Sequence, residues 1–525
     1  MSFSKINPKK TKSWLKLKEH YKQVSTIHLS EMFAADKNRS SNFSVGFDDF
    51  FVDFSKQRWT RETQQLFISL ANELDLKNSI RNYFRENEFN FTEKRAVLHT
   101  ALRSKEESVL LNGKNIIREV RDVKAKIKCF TNSVISGEYK GANGKKITDI
   151  VNIGIGGSDL GPKLVCNALK HYQNHLNIHF VSNIDGDHLY EVLSVLPPET
   201  TLFIIVSKSF TTAETIKNAT SIKKWFVKNL EGEAFQRHFV AVTTNIEQAE
   251  EFGIERDNIF PMWDWVGGRF SLWSAVGLSI ALSIGFNQYE ELLSGAQIAD
   301  KHFKEASLEE NLPVLMAFLT IWHVNFFKAD QEAVIPYSQY LEDLVPYLQQ
   351  SFMESNGKNV DRNGEKINYH TCPTIFGGVG CNAQHAFMQL FHQGKHLIPT
   401  DFIGFCNPLK ANKEHHNVLM ANLFAQTEAL AFGTYGKNID NSFKIFNGNQ
   451  PSTTILIKKL TPSSLGKLLA IYEHKIFVEG ILWNINSYDQ FGVELGKELS
   501  RGIIEKINEN NEKQRESLLL NFYKN

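Results

Sequence analysis

Between Thr11 and about Arg103, apolar residues recur every three to four positions, as in RETQQLFISLANEL from Arg61, and that period predicts helices. One stretch, FSVGFDDFFVDF from Phe43, breaks the period and predicts a hairpin. This part of the chain reads as an arm and shoulder, not as an independent domain. Beyond a polar link at 136–146 (SGEYKGANGKK) the pattern changes. Short apolar runs at 150–155, 178–182, 202–206 and 239–243 predict strands, each followed by a helical pattern. A long apolar helix is expected over 272–284, and helices continue through Gln297 and Phe318. A second alternation then places strands at 333–336, 372–376, 397–405 and 453–460. Strands and helices alternating at this spacing imply parallel sheets covered on both faces. Two such α/β domains are the economical parse, with ligands expected beyond the strand carboxyl ends, in the cleft between them.

Composition narrows the partners. The 525 residues are 42% hydrophobic, enough to bury sizeable cores without disulfides. Lysine and arginine number 59 against 58 acidic residues, which gives no general attraction to nucleic acid or to an anionic membrane. Any anion specificity must be local. The longest apolar run, 272–286, is too short to span a bilayer and is broken by serines and glycines. The opening MSFSKINPKKTKSWLKLKEHY is basic but lacks a following apolar core, so no signal peptide is read there. The five cysteines, Cys129, Cys166, Cys372, Cys381 and Cys406, show no CxxC spacing and read as reduced thiols of a cytosolic protein.

Candidate chemistry begins at IVNIGIGGSDLGPK, 150–163. Gly154, Gly156 and Gly157 let the backbone approach an anion, and Ser158 and Asp159 are expected to cap a helix from Leu160. A nucleotide-triphosphate loop fails because Pro162 stands where its lysine belongs, and a dinucleotide loop fails at Asp159. A small phosphate ester or a plain tight turn remain open. The strand at 202–206 runs into Ser207, Lys208, Ser209, Phe210, Thr211 and Thr212 before a helix from Ala213, which places hydroxyls, one ammonium and helix amides around a phosphate.

Arg269, in WDWVGGRFSLWSAVG, follows two glycines among aromatics and is a candidate to stabilise oxygen anions, or else a surface arginine at a turn. Glu354, in QQSFMESNGK, sits at the end of a helix beginning near Leu341, where the dipole opposes its charge. Such misplaced carboxylates sometimes mark bases and are more often simply solvated. His385 falls in the first turn of a helix behind another glycine loop and suits a proton shuttle. His392 and His396 are spaced like a metal pair, but no HExxH glutamate or third ligand accompanies them. Lys497 closes the motif YDQFGVELGK.

In this order, NFTEKRAVLHTALR from Asn90, IGIGGSDLGP, SKSFTTAET, WDWVGGRFSLWSAVG, QQSFMESNGK, QHAFMQLFHQG and YDQFGVELGK closely resemble the phosphoglucose isomerase (glucose-6-phosphate isomerase) family. The resemblance implies two sugar-isomerase (SIS) type three-layer α/β domains with largely parallel sheets, a smaller over 111–285 and a larger over 286–525. A helical N-terminal arm over 1–110 would pack on the second, and a C-terminal helical tail would complete it. The resemblance further implies a cytoplasmic homodimer with shared active sites, converting glucose 6-phosphate to fructose 6-phosphate and back through a cis-enediolate, with no cofactor or metal.

Carried onto matching positions, Glu354 is the base and Arg269 steadies the enediolate. His385, from the partner subunit, and Lys497 assist ring opening, and Glu214 orients His385. The phosphate lies against Ser207, Lys208, Ser209 and Thr212, while Gly157, Ser158, Gln350 and Gln490 shape the pocket. Ser209 and Phe491 stand where many members carry threonine and tryptophan, and Cys381 and Ala383 where threonine and glycine are common. A sugar-phosphate sensor would need the hydroxyl loops but not Glu354, Arg269, His385 and Lys497 together. A nucleotide-dependent oxidoreductase with Asp185 on a ribose lacks the full glycine pattern.

Overall fold

The structure is a computed structural model that describes residues 5–85, 89–230, 233–410 and 412–508, together with Leu519, Phe522 and Tyr523. The expected hairpin forms as β1 (Ser44–Phe47) and β2 (Phe50–Asp53), and a two-residue ladder, β3 (Leu110–Leu111) and β4 (Lys114–Asn115), follows the shoulder.

The first sheet comprises β5 (Asp149–Ile153), β6 (Asn177–Val181), β7 (Thr201–Val206), β8 (Phe239–Thr243) and β9 (Ile259–Pro261). All neighbours are parallel, in the order β6-β5-β7-β8-β9. Strands β5 and β7 are buried along their whole length, as continuous apolar strands in a covered sheet should be. Because β6 lies on one side of β5 and β7 on the other, the winding reverses between β5 and β7. The loops leaving their carboxyl ends, 154–159 and 207–212, therefore meet at a topological switch point. Strand β9, three residues reading IFP, was not marked by the sequence pattern.

The second sheet contains β10 (Gln331–Pro336), β11 (Thr374–Gly377), β12 (Thr400–Phe405) and β13 (Ser452–Ile457), all parallel where paired. Its order, β1-β2-β13-β12-β10-β11, shows that the N-terminal hairpin extends it, β2 lying antiparallel to β13 with Val52 opposite Ile455. The Lys467 ammonium bridges the Asp48 and Asp49 carboxylates at the hairpin turn. The architecture is mixed α/β with largely parallel sheets, as expected.

One helix expectation needs correction. Over 272–284 the chain forms a 3-10 turn at Ala275–Gly277 and a helix only at Leu278–Ile284. The Tyr289 hydroxyl shares its one proton between the carbonyls of Trp273 (3.2 Å) and Ser274 (3.0 Å), and the Gly277 amide also donates to the Ser274 carbonyl (2.9 Å), so these buried acceptors find donors without a helix.

At the centre, the Pro462–Leu482 helix is buried on every side. It meets the Phe286–Glu305 helix at backbone distance, since a Cβ at Gly295 would lie 2.0 Å from the Ser463 carbonyl oxygen and one at Gly466 2.1 Å from that of Leu292. Only glycine permits this approach. The buried Glu473 on this helix is matched. Glu473 accepts from Arg103 Nη1 (2.7 Å) and Trp273 Nε1 (2.7 Å), and Arg103 makes two further bonds to Asp300, at 2.9 and 2.8 Å.

Candidate active site

The two loops of the switch point are built differently. Loop 154–159 approaches the Gly268–Phe270 turn so closely that a Cβ at Gly157 would stand 1.9 Å from the Gly268 carbonyl oxygen. Glycine at 157 thus seats the turn that carries Arg269. The expected cap by Ser158 and Asp159 does not form. Asp159 occupies the N-cap position of the Leu160–Ala168 helix at φ −122°, ψ −58°, outside the extended conformation a cap requires, and makes no capping bond. Its carboxyl is buried, Oδ1 has no hydrogen-bond partner, and burial pushes its pKa up to about 6. Ser158 lies in the 3-10 turn Gly156–Ser158, and its carbonyl accepts from Asn152 Nδ2 at 3.0 Å.

Loop 207–212 is fastened from beneath by the end of β8. The Lys208 carbonyl accepts from Thr243 Oγ1 (3.0 Å), Thr244 Oγ1 (2.7 Å) and the Thr244 amide (2.9 Å). Ser207 Oγ donates to Thr212 Oγ1 at 3.1 Å, Ser209 and Thr211 hydroxyls meet at 2.7 Å, and Phe210 turns the chain at φ +56° with its ring buried. Thr212 makes no side-chain cap on the Ala213–Asn229 helix, which leaves the first amides of that helix open to an anion. Lys208 Nζ donates to the carbonyls of Asp264 (2.9 Å) and Val266 (3.0 Å), tying this loop to the segment before Arg269, and burial lowers its pKa.

Arg269 is buried, not a surface arginine. Its Nε donates to Ser355 Oγ (2.6 Å), Nη1 to Gln490 Oε1 (2.9 Å), and Nη2 to the carbonyls of Ser487 (2.6 Å) and Asp489 (3.3 Å). Burial pulls its pKa down, while the Glu354 charge, 3.5 Å away from Nη1 to Oε2, holds it up. The helix expected from near Leu341 to Glu354 is a 3-10 turn at Gln339–Leu341, an α-helix at Leu344–Gln349 and a π-turn at Gln350–Glu354. π-turns are rare and frequent at functional sites. Here Gln350 and Glu354 both border one cavity of about 570 Å³.

That cavity brings together most of the residues singled out in the sequence. Gly157, Ser158, Ser207, Lys208, Ser209 and Thr212 line it with Gln350 and Gln490. Arg269, Glu354, Glu214 and Lys497 also border it, Lys497 reaching it from the exposed Glu494–Asn508 helix. His385 is not brought in. It is exposed, and it follows the Gly380–Gln384 helix as its C-terminal cap instead of opening a helix, because the chain turns at 385–387 before the next helix, Met388–Gln393. Consequently Glu214 has no His385 beside it within the cavity lining. His392 Nε2 is bonded to Gln426 Oε1 at 2.9 Å, and Asp185 caps a helix by accepting from the Asp187 amide at 3.0 Å.

Sequence reasoning did not single out Ser355, Ser487 or Asp489, whose contacts with Arg269 are mostly through backbone carbonyls that leave no pattern. Glu93 and Arg95, from the shoulder segment at Asn90, also line the cavity. A second cavity of about 1300 Å³ shares Gln350, Glu354, Gln490 and the exposed Val493 with the first and opens on Met353, Val360 and Phe491, all exposed.

A family model described as phosphoglucose isomerase matches residues 53–518. The chain belongs to the phosphoglucose isomerase family. The glucose-6-phosphate isomerase of Christiangramia forsetii is 54% identical to it, with 99% of each chain covered. That of Wigglesworthia glossinidia brevipalpis is 49% identical over 99% of each. The crystal structure of a glucose-6-phosphate isomerase from Chlamydia trachomatis superposes with a TM-score of 0.86 at 34% identity, covering 96% of this chain and 97% of that one. Among the described residues, no helix is long and apolar enough to cross a membrane.

Proposed function

We propose that the chain interconverts glucose 6-phosphate and fructose 6-phosphate, moving hydrogen between carbons 1 and 2 of the open-chain sugar. The observation that carries the reading is the Glu354 carboxylate set 3.5 Å from the Arg269 guanidinium in the same cavity as two donor-rich loops. Hydroxyls of Ser207, Ser209 and Thr212, the Lys208 ammonium and the open amides at Ala213 take the phosphate. With the sugar tethered there, Glu354 removes the proton from carbon 2 of the aldose, and the electron pair flows to the oxygen on carbon 1. The resulting cis-enediolate carries its charge on oxygens, which Arg269 stabilises. The hydroxyl proton on the carbon-2 oxygen passes to the neighbouring oxygen on carbon 1, Glu354 returns its own proton to carbon 1, and carbon 2 becomes the ketone. One carboxylate suffices because the two carbons are bonded neighbours, and the sequence needs no external oxidant. Lys497 assists ring opening by steadying charge on the ring oxygen.

His385 completes ring opening from a second copy of the chain. Three features support that assembly: His385 is exposed away from its own chain's cavity, the larger cavity has an apolar rim, and the Glu494–Asn508 helix exposes Leu495, Leu499 and Ile503. Cytoplasmic residence fits five cysteines that are all free thiols. The test is turnover of fructose 6-phosphate by the purified chain, followed as glucose 6-phosphate formation. Sustained turnover is expected, and it should survive a chelator. Ligand-dependent melting without turnover would make the chain a sensor instead.

A further inference from the structure

The Pro462–Leu482 helix carries a carboxyl group that the mechanism above does not use. Glu479 is fully buried, and its Oε2 accepts from Asn356 Nδ2 at 2.9 Å. Asn356 Oδ1 in turn accepts from Ser487 Oγ at 2.7 Å, and the Ser487 carbonyl accepts from Arg269 Nη2 at 2.6 Å. Asn356 stands two residues beyond Glu354, and Ser355 between them receives Arg269 Nε. One side chain therefore joins the end of the segment bearing the base to the loop bearing the guanidinium's acceptor. Gly480, where a Cβ would lie 2.0 Å from Ser487 Oγ, lets the 487 segment lie close against the helix.

We propose that Glu479 is a positioning residue for the isomerisation, acting through Asn356 and Ser487 on the Arg269 guanidinium that faces Glu354.

The surroundings determine the form in which it acts. Lys475, one turn earlier on the same helix, lies 4.0 Å from Glu479 Oε1 but pairs at closer range with Glu332 of β10, whose other oxygen accepts from Thr320 at 2.8 Å. Glu479 Oε1 has no hydrogen-bond partner. Cys372 also faces the group, and Asp401 of β12 adds a further carboxyl to the same ammonium. Three acids thus share one lysine. Burial pushes the Glu479 pKa up to about 8, with Lys475 opposing the rise and Glu332 adding to it. At neutral pH Glu479 is a neutral hydrogen-bonding group. Above that value a further carboxylate charge competes with Glu332 for Lys475, the Asn356 amide already bonded to Oε2 is held harder, and the link to Ser487 and Arg269 is disturbed.

The inference rests on the isomerase reading, which turnover by the unaltered chain tests separately. Its own test is the pH profile of kcat with fructose 6-phosphate for the full-length chain and for Glu479→Gln, whose amide keeps the shape and cannot ionise. Glu479→Gln should match the parent within about twofold at pH 7 and melt at the same temperature. At pH 9 it should retain activity that the parent has lost by about tenfold, one pH unit past the titration. A second variant, Ser487→Ala, keeps the carbonyl that Arg269 uses and deletes the bond to Asn356. It should lower kcat about tenfold with KM nearly unchanged, as loss of a group acting only in the transition state requires. Superimposable pH profiles for the parent and Glu479→Gln, or an unchanged kcat in Ser487→Ala, would overturn the proposal.

Discussion

Arg269 Nη1 lies 3.5 Å from Glu354 Oε2, yet the shorter bonds of the guanidinium all go elsewhere: to Ser355 Oγ and the Ser487 carbonyl at 2.6 Å, and to Gln490 Oε1 at 2.9 Å. Glu354 Oε2 itself has no hydrogen-bond partner. The cation is held by the scaffold, and the carboxylate stays available to carry a proton. A tight bidentate pair would have occupied both groups with each other.

Replacing Arg269 by lysine tests this division of labour. A lysine cannot span Ser355, Ser487 and Gln490 at once, so the charge would no longer be preset over the enediolate oxygens. Steady-state kinetics of Arg269→Lys should show kcat lower by about 10²- to 10³-fold, with a smaller change in KM. A near-parental kcat would mean that Arg269 serves folding alone.

Gly157 links the phosphate loop to the Arg269 turn by contact. In Gly157→Ala the new Cβ would meet the Gly268 carbonyl oxygen at 1.9 Å, and backbone on both sides must shift. Both activity and melting temperature should fall, the latter by the equivalent of about 1–3 kcal/mol. Gly186→Ala, where nothing lies within 4 Å, is the control and should melt like the parent.

Thr212 stands at the uncapped start of the Ala213–Asn229 helix and receives Ser207 Oγ at 3.1 Å. If its hydroxyl holds the phosphate in substrate and transition state alike, Thr212→Ala should raise KM for fructose 6-phosphate about tenfold and leave kcat within a few-fold. An effect confined to kcat would place Thr212 at the reacting carbons instead.

Asp159 supplies a pH prediction for stability. Burial raises its folded-state pKa to about 6, against the attraction of Lys163, whereas the unfolded chain titrates near about 3.9. The folded state therefore holds its proton more tightly, and this group's contribution is fully present below about pH 4 and lost as pH rises through about 6. Asp159→Asn should be more stable than the parent at pH 8, by about 3 kcal/mol, and the gain should vanish near pH 4. An equal gain at both pH values would show that the carboxyl does not titrate as described.

Much of the frame was legible because the signals were local. Strands β5 and β7 are runs of consecutive buried residues, and the loops behind them announce themselves by glycines and hydroxyls at strand ends. What escaped was non-local. Nothing in FSVGFDDFFVDF says that β2 will pair with β13, some four hundred residues later in sequence. Two of the four hydrogen-bond partners of Arg269 are backbone carbonyls, of Ser487 and Asp489, which any residue type offers. The buried acids and bases of the Pro462–Leu482 helix, Glu473, Lys475 and Glu479 among them, meet Arg103, Trp273, Glu332 and Asn356, all arriving from elsewhere in the chain. His385 reads as part of the constellation in sequence, but its own chain leaves it outside the cavity.

Deuterium exchange at carbon 2 of the sugar phosphate, followed by NMR in heavy water, tests the central role of Glu354 most directly. With the parent chain, label should enter carbon 2 of glucose 6-phosphate and carbon 1 of fructose 6-phosphate as the two interconvert. Glu354→Gln should still bind fructose 6-phosphate and slow exchange by about 10²- to 10⁴-fold. Exchange at the parental rate in that variant would contradict the assignment of Glu354 as the group that carries the proton.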